Sequence, residues 1–293
     1  MRRGKQPACT VALCLMTACG ADNTPSRLEP PGEPPTVTTR ALETGAAVLQ
    51  DTPPVAALDA YVDGFHFYNG KLEVQVEAHH YCSIVNEDVR QCVIFDGNGR
   101  DAKLMGIEYI VSRRVFATLP AEERKLWHSH VYEVKSGALI APGIPEVAEH
   151  ELMEQLVGTY GKTWHTWHAE QAHELPTGHP VLMAGFTADG QLDPALLEKR
   201  DRRFGIVTED ERKLREDIAT PDVLAGADAW QHGEVLQLTL QPTMARSMRT
   251  RDPREATHDD SPTEPTRRLR ANKVRQLYAR IPAPAVASTV EPR

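Results

Sequence analysis

One segment in the middle of the chain has little conformational choice. Val93-Ile94-Phe95 and Leu104 to Val111 are apolar, strand-favouring runs, and Asp96-Gly97-Asn98-Gly99 follows the first of them. Turn residues between two such runs predict an antiparallel hairpin, so the fold must contain antiparallel sheet. Ala41 to Leu49 and Val55 to Phe67 read as helices separated by Pro53 and Pro54. Val131 to Ala141 reads as a further strand pair or a bent strand turning near Ser136-Gly137, Pro145 to Tyr160 as a helix, and Val181 to Thr187 as a buried strand. Asp193-Pro194 supplies an N-cap and a first-turn proline for a helix over Ala195 to Phe204. Thr208 and Glu211 have capping-box spacing for another helix, running to about Ile218. Helices gather at both ends and strands in the middle. The expected class is α+β, a single domain with a central antiparallel sheet and flanking helices.

The N-terminus speaks to compartment. Arg2, Arg3 and Lys5 precede an apolar stretch from Ala8 to Ala18, the layout of a secretory signal peptide over residues 1–18. Leu15-Met16-Thr17-Ala18-Cys19 is similar to a bacterial lipobox, in which the cysteine is acylated and becomes the first mature residue. The alternatives are an ordinary signal peptide cut elsewhere or an uncleaved anchor. Acylated Cys19 would make the membrane a partner and place the protein at a bacterial cell envelope. No Asp follows Cys19, which favours the outer membrane or the surface. After cleavage two thiols remain free to pair, Cys82 and Cys92; they are either a disulfide or two buried, reduced side chains.

Residues 19–39 carry Pro25, Pro30, Pro31, Pro34 and Pro35 and read as an extended tether. The folded domain then spans residues 40–240. Residues 241–293 form a Pro-rich tail with 11 Lys or Arg against 6 Asp or Glu, read as disordered, with a short helix over Arg267 to Arg280 as an option. The tail is suited either to solvent or to anionic lipid or an acidic partner. The whole chain carries a net charge of −8, which argues against nucleic acid as a partner.

Histidines supply the chemistry-bearing pattern. They crowd into His79-His80-Tyr81-Cys82, Trp127-His128-Ser129-His130 and Trp164-His165-Thr166-Trp167-His168. If residues 128–132 are a strand, His128 and His130 project from one face, a half-site for zinc, copper or iron that needs one or two further ligands. His79, His80, His165, Glu108 and Glu133 are the candidates to supply them. The competing reading is structural: each imidazole bonded to a carbonyl or carboxylate beside an aromatic neighbour. A divalent transition metal such as zinc is therefore the one cofactor the pattern suggests, and no catalytic residue follows from it.

Other patterns are weaker. Gly158-Thr159-Tyr160-Gly161-Lys162-Thr163 lacks the spacing of a P-loop, and no Gly-x-Ser-x-Gly elbow is present. Cys82 beside His80 suits a nucleophile pair only if the thiol is free. Glu198 to Arg203 reads as a solvated, charged helix face, with a phosphate clamp from Arg200 and Arg203 as the functional alternative. Phe65, Phe67 and Tyr68 around His66 read as core or subunit contact.

The runs Phe65-His66-Phe67-Tyr68, Val76-Glu77-Ala78-His79-His80-Tyr81-Cys82 and Arg90-Gln91-Cys92-Val93 resemble the oil-body-associated protein family, a domain of unknown function. Gly106-Ile107-Glu108-Tyr109-Ile110, Lys125-Leu126-Trp127-His128-Ser129-His130, Tyr132-Glu133-Val134-Lys135-Ser136-Gly137 and Tyr160-Gly161-Lys162-Thr163-Trp164-His165 continue the resemblance in the same order, from about Ala41 to Trp230. It implies proximity to a lipid surface, because plant members associate with seed oil bodies. It supplies no catalytic residues. Together with the N-terminus it implies a non-enzymatic, membrane-anchored envelope lipoprotein that associates with lipid or an envelope protein; a metal-binding domain or metal-dependent enzyme is the alternative.

Overall fold

A computed structural model describes residues 23–242. The signal peptide, Cys19 and nearly all of the basic tail lie outside the described residues. The strands are β1 (Ala60–Tyr68), β2 (Lys71–Asn86), β3 (Val89–Phe95), β4 (Leu104–Val111), β5 (His128–Ser129), β6 (Tyr160–His165), β7 (Val181–Ala184) and β8 (Ala225–Asp228). The α-helices are α1 (Val37–Leu49), α2 (Pro53–Ala56), α3 (Arg113–Phe116), α4 (Ala121–Arg124), α5 (Val131–Lys135), α6 (Glu146–Leu156), α7 (Pro194–Phe204) and α8 (Thr208–Leu214).

The antiparallel sheet is a closed barrel. β1 to β4 form a meander, β4 pairs with β6, β6 with β7, and β7 returns to β1. Six strands thus leave no free edge along the main wall, which removes the edge-pairing hazard of an open sheet. β5 extends the wall beside β6, pairing His128 with Gly161 and Ser129 with Tyr160. The chain is α+β with an antiparallel sheet, as expected, although α3 to α6 fall between β4 and β6 rather than at the ends.

Inner-facing positions alternate along each strand. On β1 they are Val62, Gly64, His66 and Tyr68, matched across the register by His80, Ala78 and Val76 on β2. One end of the barrel is filled by Tyr68, Val76, Ala78, Ile94 and Met183 with Leu28. The other end is filled by Val62, Leu139 and Val157 with Met153 and Leu156 of α6. A polar layer lies between these two apolar plugs. α7 covers the outside of β1, where Leu196 and Leu197 pack on Phe65, Phe67 and Phe186.

Cys82 and Cys92, directly opposed on β2 and β3, are joined in a disulfide. The same cross-strand row continues through Glu108 on β4 to Thr163 on β6. With its sulfur bonded, Cys82 is not a nucleophile, and that reading is set aside.

Several local expectations differ from the structure. Val55 to Phe67 is not a helix: after the single turn of α2, the chain enters β1. Tyr61, Val62, Phe65, Phe67 and Tyr68 favour a strand, but nearly all of β1 is buried on both faces, so the polar/apolar alternation that marks a strand is missing. Val131 to Ala141 is not a strand pair. Residues 131–135 form α5, Gly137 follows at φ +79°, and only Ile140 pairs as a bridge with Asp63. Thr208 does not cap α8: its N–H and hydroxyl bond to Asp201 Oδ2 of α7 at 2.9 and 2.8 Å, and the N-cap position is Val207. Asp193 does cap α7, accepting from the Ala195 N–H at 2.8 Å. The charged run is not simply solvated either. Arg200 is fully buried, donating to the Ala138 carbonyl at 2.8 Å and lying over the Phe65 ring, so it is not available as a phosphate clamp.

The tether departs from expectation at its described end. The Thr24 carbonyl accepts from the Asn98 and Gly99 N–H groups at 3.0 Å, Ser26 Oγ donates to Asp96 Oδ2 at 2.7 Å, and Leu28 enters the core. Residues 23–28 are therefore a strap across one barrel end. Leu28→Ala should destabilise the protein by about 2–4 kcal/mol in urea unfolding, the range for an apolar core truncation. A loss under about 0.5 kcal/mol, typical of a surface change, would mean that the strap is not part of the core.

Candidate metal centre in the barrel interior

The polar layer consists of His66 (β1), His80 (β2), Glu108 (β4), His128 (β5), His165 (β6), His130 at the N-cap of α5 and Glu133 in its first turn, all buried. Each arrives by strand alternation or by a local clamp. Gly106 and His165 are register partners, as are Glu108 and Thr163, so β4 and β6 aim Glu108 and His165 inward together. Asp228 fixes β5 by accepting from the Ser129 N–H at 3.0 Å and from its hydroxyl at 2.6 Å. His130 is not on a strand with His128; it is the N-cap residue of α5. Both rings still reach Glu108, because the chain turns about Ser129.

Glu108 is the hub. Its Oε2 lies 3.0 Å from His80 Nε2, and its Oε1 lies 3.4 Å from His128 Nε2 and 3.3 Å from His130 Nε2. His66 stands edge-on to three other imidazoles, its ring centroid 5.0 Å from His80, 5.5 Å from His128 and 5.6 Å from His165. Glu133 Oε2 is 4.0 Å from His130 Nε2. Ligand-type atoms of His66, Glu108 and His128 all lie within 4.8 Å of one another, as do those of His128, His130 and Glu133.

Burial sets the electrostatics. It pulls His66 well below its ordinary range, helped by His80, and takes His165 down to about 3 with His80 and His168 adding to the effect. Burial also lowers His130. It would lower His128 too, but Glu108 and Glu133 lift that ring to about 9. Desolvation alone would raise Glu108, yet the three imidazoles around it hold it well below the usual carboxylate range. Glu133 is pushed up to about 8 by burial, with the Glu108 charge contributing.

Three glycines make room for this layer. A Cβ on Gly161 would overlap Glu108 Oε1 and come within 2.8 Å of His128 Nε2. One on Gly185 would overlap Glu133 Oε1, and one on Gly106 would sit 2.8 Å from His165 Cδ2. What remains is a cavity of about 20 Å³ lined by His66, His80, Glu108, His130 and Glu133, room for a single water or ion.

Of the five histidines expected to act together, His80, His128, His130 and His165 share this interior. His79 does not. Neighbours on a strand face opposite sides, so His79 lies outside the wall, its Nδ1 2.8 Å from Tyr61 Oη and 2.9 Å from Asp63 Oδ2. Asp63 and Glu77 complete that outer cluster, but Arg203 and Arg27 pair with Glu77 and Arg200 lies 3.8 Å from Asp63. It is an ion-pair network under α7. His66 is the interior residue that sequence reading missed. Once β1 is a strand, its inner-facing alternation with Val62 and Gly64 identifies it.

The profile of a family described as "Protein of unknown function (DUF1264)" matches residues 52–219, which include the whole polar layer. Oil body-associated protein 1B of Arabidopsis thaliana is 44% identical over 193 residues, 66% of this chain and 80% of that protein. Oil body-associated protein 1A of Zea mays is 44% identical over 195 residues, 67% of this chain and 82% of that protein. Oil body-associated protein 2C of Arabidopsis thaliana is 40% identical over 215 residues, 72% and 91% of the two chains. No solved structure matches this chain significantly.

Because Gly161 is the closest approach of backbone to the hub, Gly161→Ala should displace Glu108 and His128 and cost about 1–3 kcal/mol in thermal or urea unfolding, as overpacking does. Gly190→Ala is not a usable control, since its φ is +80°; Gly45→Ala, on exposed α1 with open space around it, should be neutral or slightly stabilising. Equal stability of the Gly161 variant and the parent would contradict this packing.

Proposed function

Since this chain belongs to the DUF1264 family, together with the plant oil body-associated proteins, we propose that it works at a lipid surface, as a lipid-anchored, non-enzymatic domain of a bacterial cell envelope. The observation that carries this reading is the outward side of the barrel over β2, β3, β4 and β6. The register sets Tyr81, Val93, Ile107 and Trp164 side by side across the four strands, with Phe95 and Tyr109 flanking them. Ile107 is 39% exposed and Tyr109 45%, and the others are half-buried. A contiguous apolar and aromatic patch of this kind suits an interface, and Tyr and Trp suit the boundary between water and acyl chains.

Two further features support it. α1 buries no residue and presents Val37, Leu42, Val48 and Leu49 outward. The strap from Asn23 is held at the β3–β4 turn, at the rim of the same face. Asn23 lies four positions after Cys19, a reach of at most about 14 Å, so an acylated Cys19 would lie within that distance of the rim. The barrel itself is not a lipid carrier, because its interior cavity is far too small for an acyl chain. Among the described residues no helix is long and apolar enough to cross a membrane; in this reading the acyl chains on Cys19 are the anchor, each buried CH₂ contributing about 0.8 kcal/mol.

Cell fractionation of the full chain tests the anchor: the parent should sediment with membranes and Cys19→Ala should move to the soluble fraction. Flotation with phospholipid-coated triacylglycerol droplets tests the face separately. There the Cys19→Ala chain should retain weak binding that Ile107→Asp abolishes. Cys19→Ala remaining with membranes would overturn the anchor, and droplet binding unchanged by Ile107→Asp would overturn the face.

A further inference from the structure

Two imidazoles in the barrel have tautomers set by their outer partners. His80 Nδ1 lies 3.0 Å from the Ala78 carbonyl oxygen, which only accepts, so Nδ1 carries the hydrogen. His130 Nδ1 lies 2.8 Å from Thr159 Oγ1, and that hydroxyl already donates to the Leu156 carbonyl at 2.7 Å. Thr159 must therefore accept, and His130 also carries its hydrogen on Nδ1. In each neutral ring the inward Nε2 is then a bare lone pair. Both face oxygens of Glu108, at 3.0 and 3.3 Å. Such a contact is favourable only when the ring gains a second proton and donates to Glu108, as the lowered carboxyl of Glu108 reflects, or when a bound cation stands between the two groups.

The surroundings offer little relief. Among the described residues, the only cationic side chains within ion-pair distance of Glu108 are histidines. His66 Nδ1, His128 Nδ1 and both nitrogens of His165 are buried without a hydrogen-bond partner in the protein. Orphaned polar atoms are costly in a closed core, and His66 and His128 each bring a ligand-type nitrogen within 4.8 Å of Glu108 and of each other. Relief by protons alone would make imidazolium rings of both His80 and His130, the latter with its ring centroid 5.1 Å from that of His128.

We infer that the barrel interior is a binding site for one divalent first-row transition ion, centred on Glu108 and His128, with His66, His80 and His130 offering the further nitrogens. The 3.0–3.4 Å separations around Glu108 match the edges of a coordination polyhedron: bonds of about 2.1 Å give edges of about 3.0 Å in an octahedron and about 3.4 Å in a tetrahedron. A cavity of about 20 Å³ adjoins Glu108, His66, His80 and His130, although His128 is not part of its lining. The donor set is imidazole and carboxylate without thiolate, since Cys82 and Cys92 are bonded to each other. That chemistry suits zinc, iron or nickel over copper(I), and its nitrogen count disfavours calcium and magnesium. The Ala78 carbonyl and Thr159 hydroxyl act as the outer partners that orient metal-binding imidazoles. The Asp63, Glu77 and His79 cluster outside the wall is no rival, because three guanidinium groups already occupy it.

The test uses the full chain purified in detergent without a histidine tag or chelator. Elemental analysis should find about one equivalent of a transition metal per chain, as a single closed site requires. After chelator treatment, Co²⁺ should give visible d–d bands that Zn²⁺ displaces. His128→Ala should weaken Co²⁺ binding by more than about 100-fold, and Thr159→Val, which removes only an outer partner, by about 10–100-fold. His150→Ala, at a half-buried position on α6 paired with Asp217, should change it by less than about twofold, as a site remote from the ligands. Near-UV circular dichroism monitors folding, and Glu108→Gln replaces His128→Ala if that chain does not fold. A folded parent that is metal-free as purified and gives no Co²⁺ bands overturns the inference. So does Co²⁺ binding that survives both Glu108→Gln and Thr159→Val unchanged.

Discussion

The pairing of β4 with β6 is the contact on which the rest of the structure depends. It closes a meander into a barrel and, in the same act, turns Glu108 and His165 toward a common interior. The closure works because the wall is thin where the polar layer is thick. Gly161 stands beside Glu108 and His128, Gly106 beside His165, and Gly185 beside Glu133. Side chains at those positions would compete for the volume that the imidazoles and carboxylates fill.

Burying seven titratable groups in one layer runs against the hydrophobic effect, and the structure offsets this cost from above and below. Leu28, Tyr68, Val76 and Ile94 fill one end; Val62, Leu139, Met153 and Leu156 fill the other. Burial between these plugs strengthens the electrostatic contacts of the layer, in which Glu108 is surrounded by imidazoles. The Cys82–Cys92 disulfide lies in the same cross-strand row as Glu108 and ties two strands of that wall. A buried polar layer between two apolar plugs is an arrangement in which a single ion has far more effect than it would at a surface.

The inside and the outside of the barrel are chemically independent, and they support different roles. The outer apolar face and the exposed α1 suit a lipid surface, in keeping with relatives named for oil bodies. The interior has no space for lipid and presents nitrogen and oxygen ligands instead. Strand alternation permits this division, because consecutive residues serve opposite sides of one wall. His79 and His80 show it most directly: one joins an ion-pair network under α7, the other the interior layer.

Local chemistry in the sequence determined a good part of this protein. The β3–β4 hairpin, the strand over β7, the helix over α6 and the Asp193 cap of α7 follow from turn residues, apolar runs and capping rules that act over a few positions. The family resemblance and most of the interior histidines and carboxylates were legible too, because histidines and glutamates are conspicuous in short motifs. What the sequence left open depends on partners distant along the chain. β1 hid as a helix because both its faces are buried, and with it went the alternation that points His66 inward. α5 read as strand, and Thr208 lost its capping role to Asp201. Only the tertiary structure decided that the sheet closes, that Leu28 folds back onto it, and that His79 parts company with His80. The physical reason is that barrel closure sets which face of each strand is inside, and no window of local sequence contains that information.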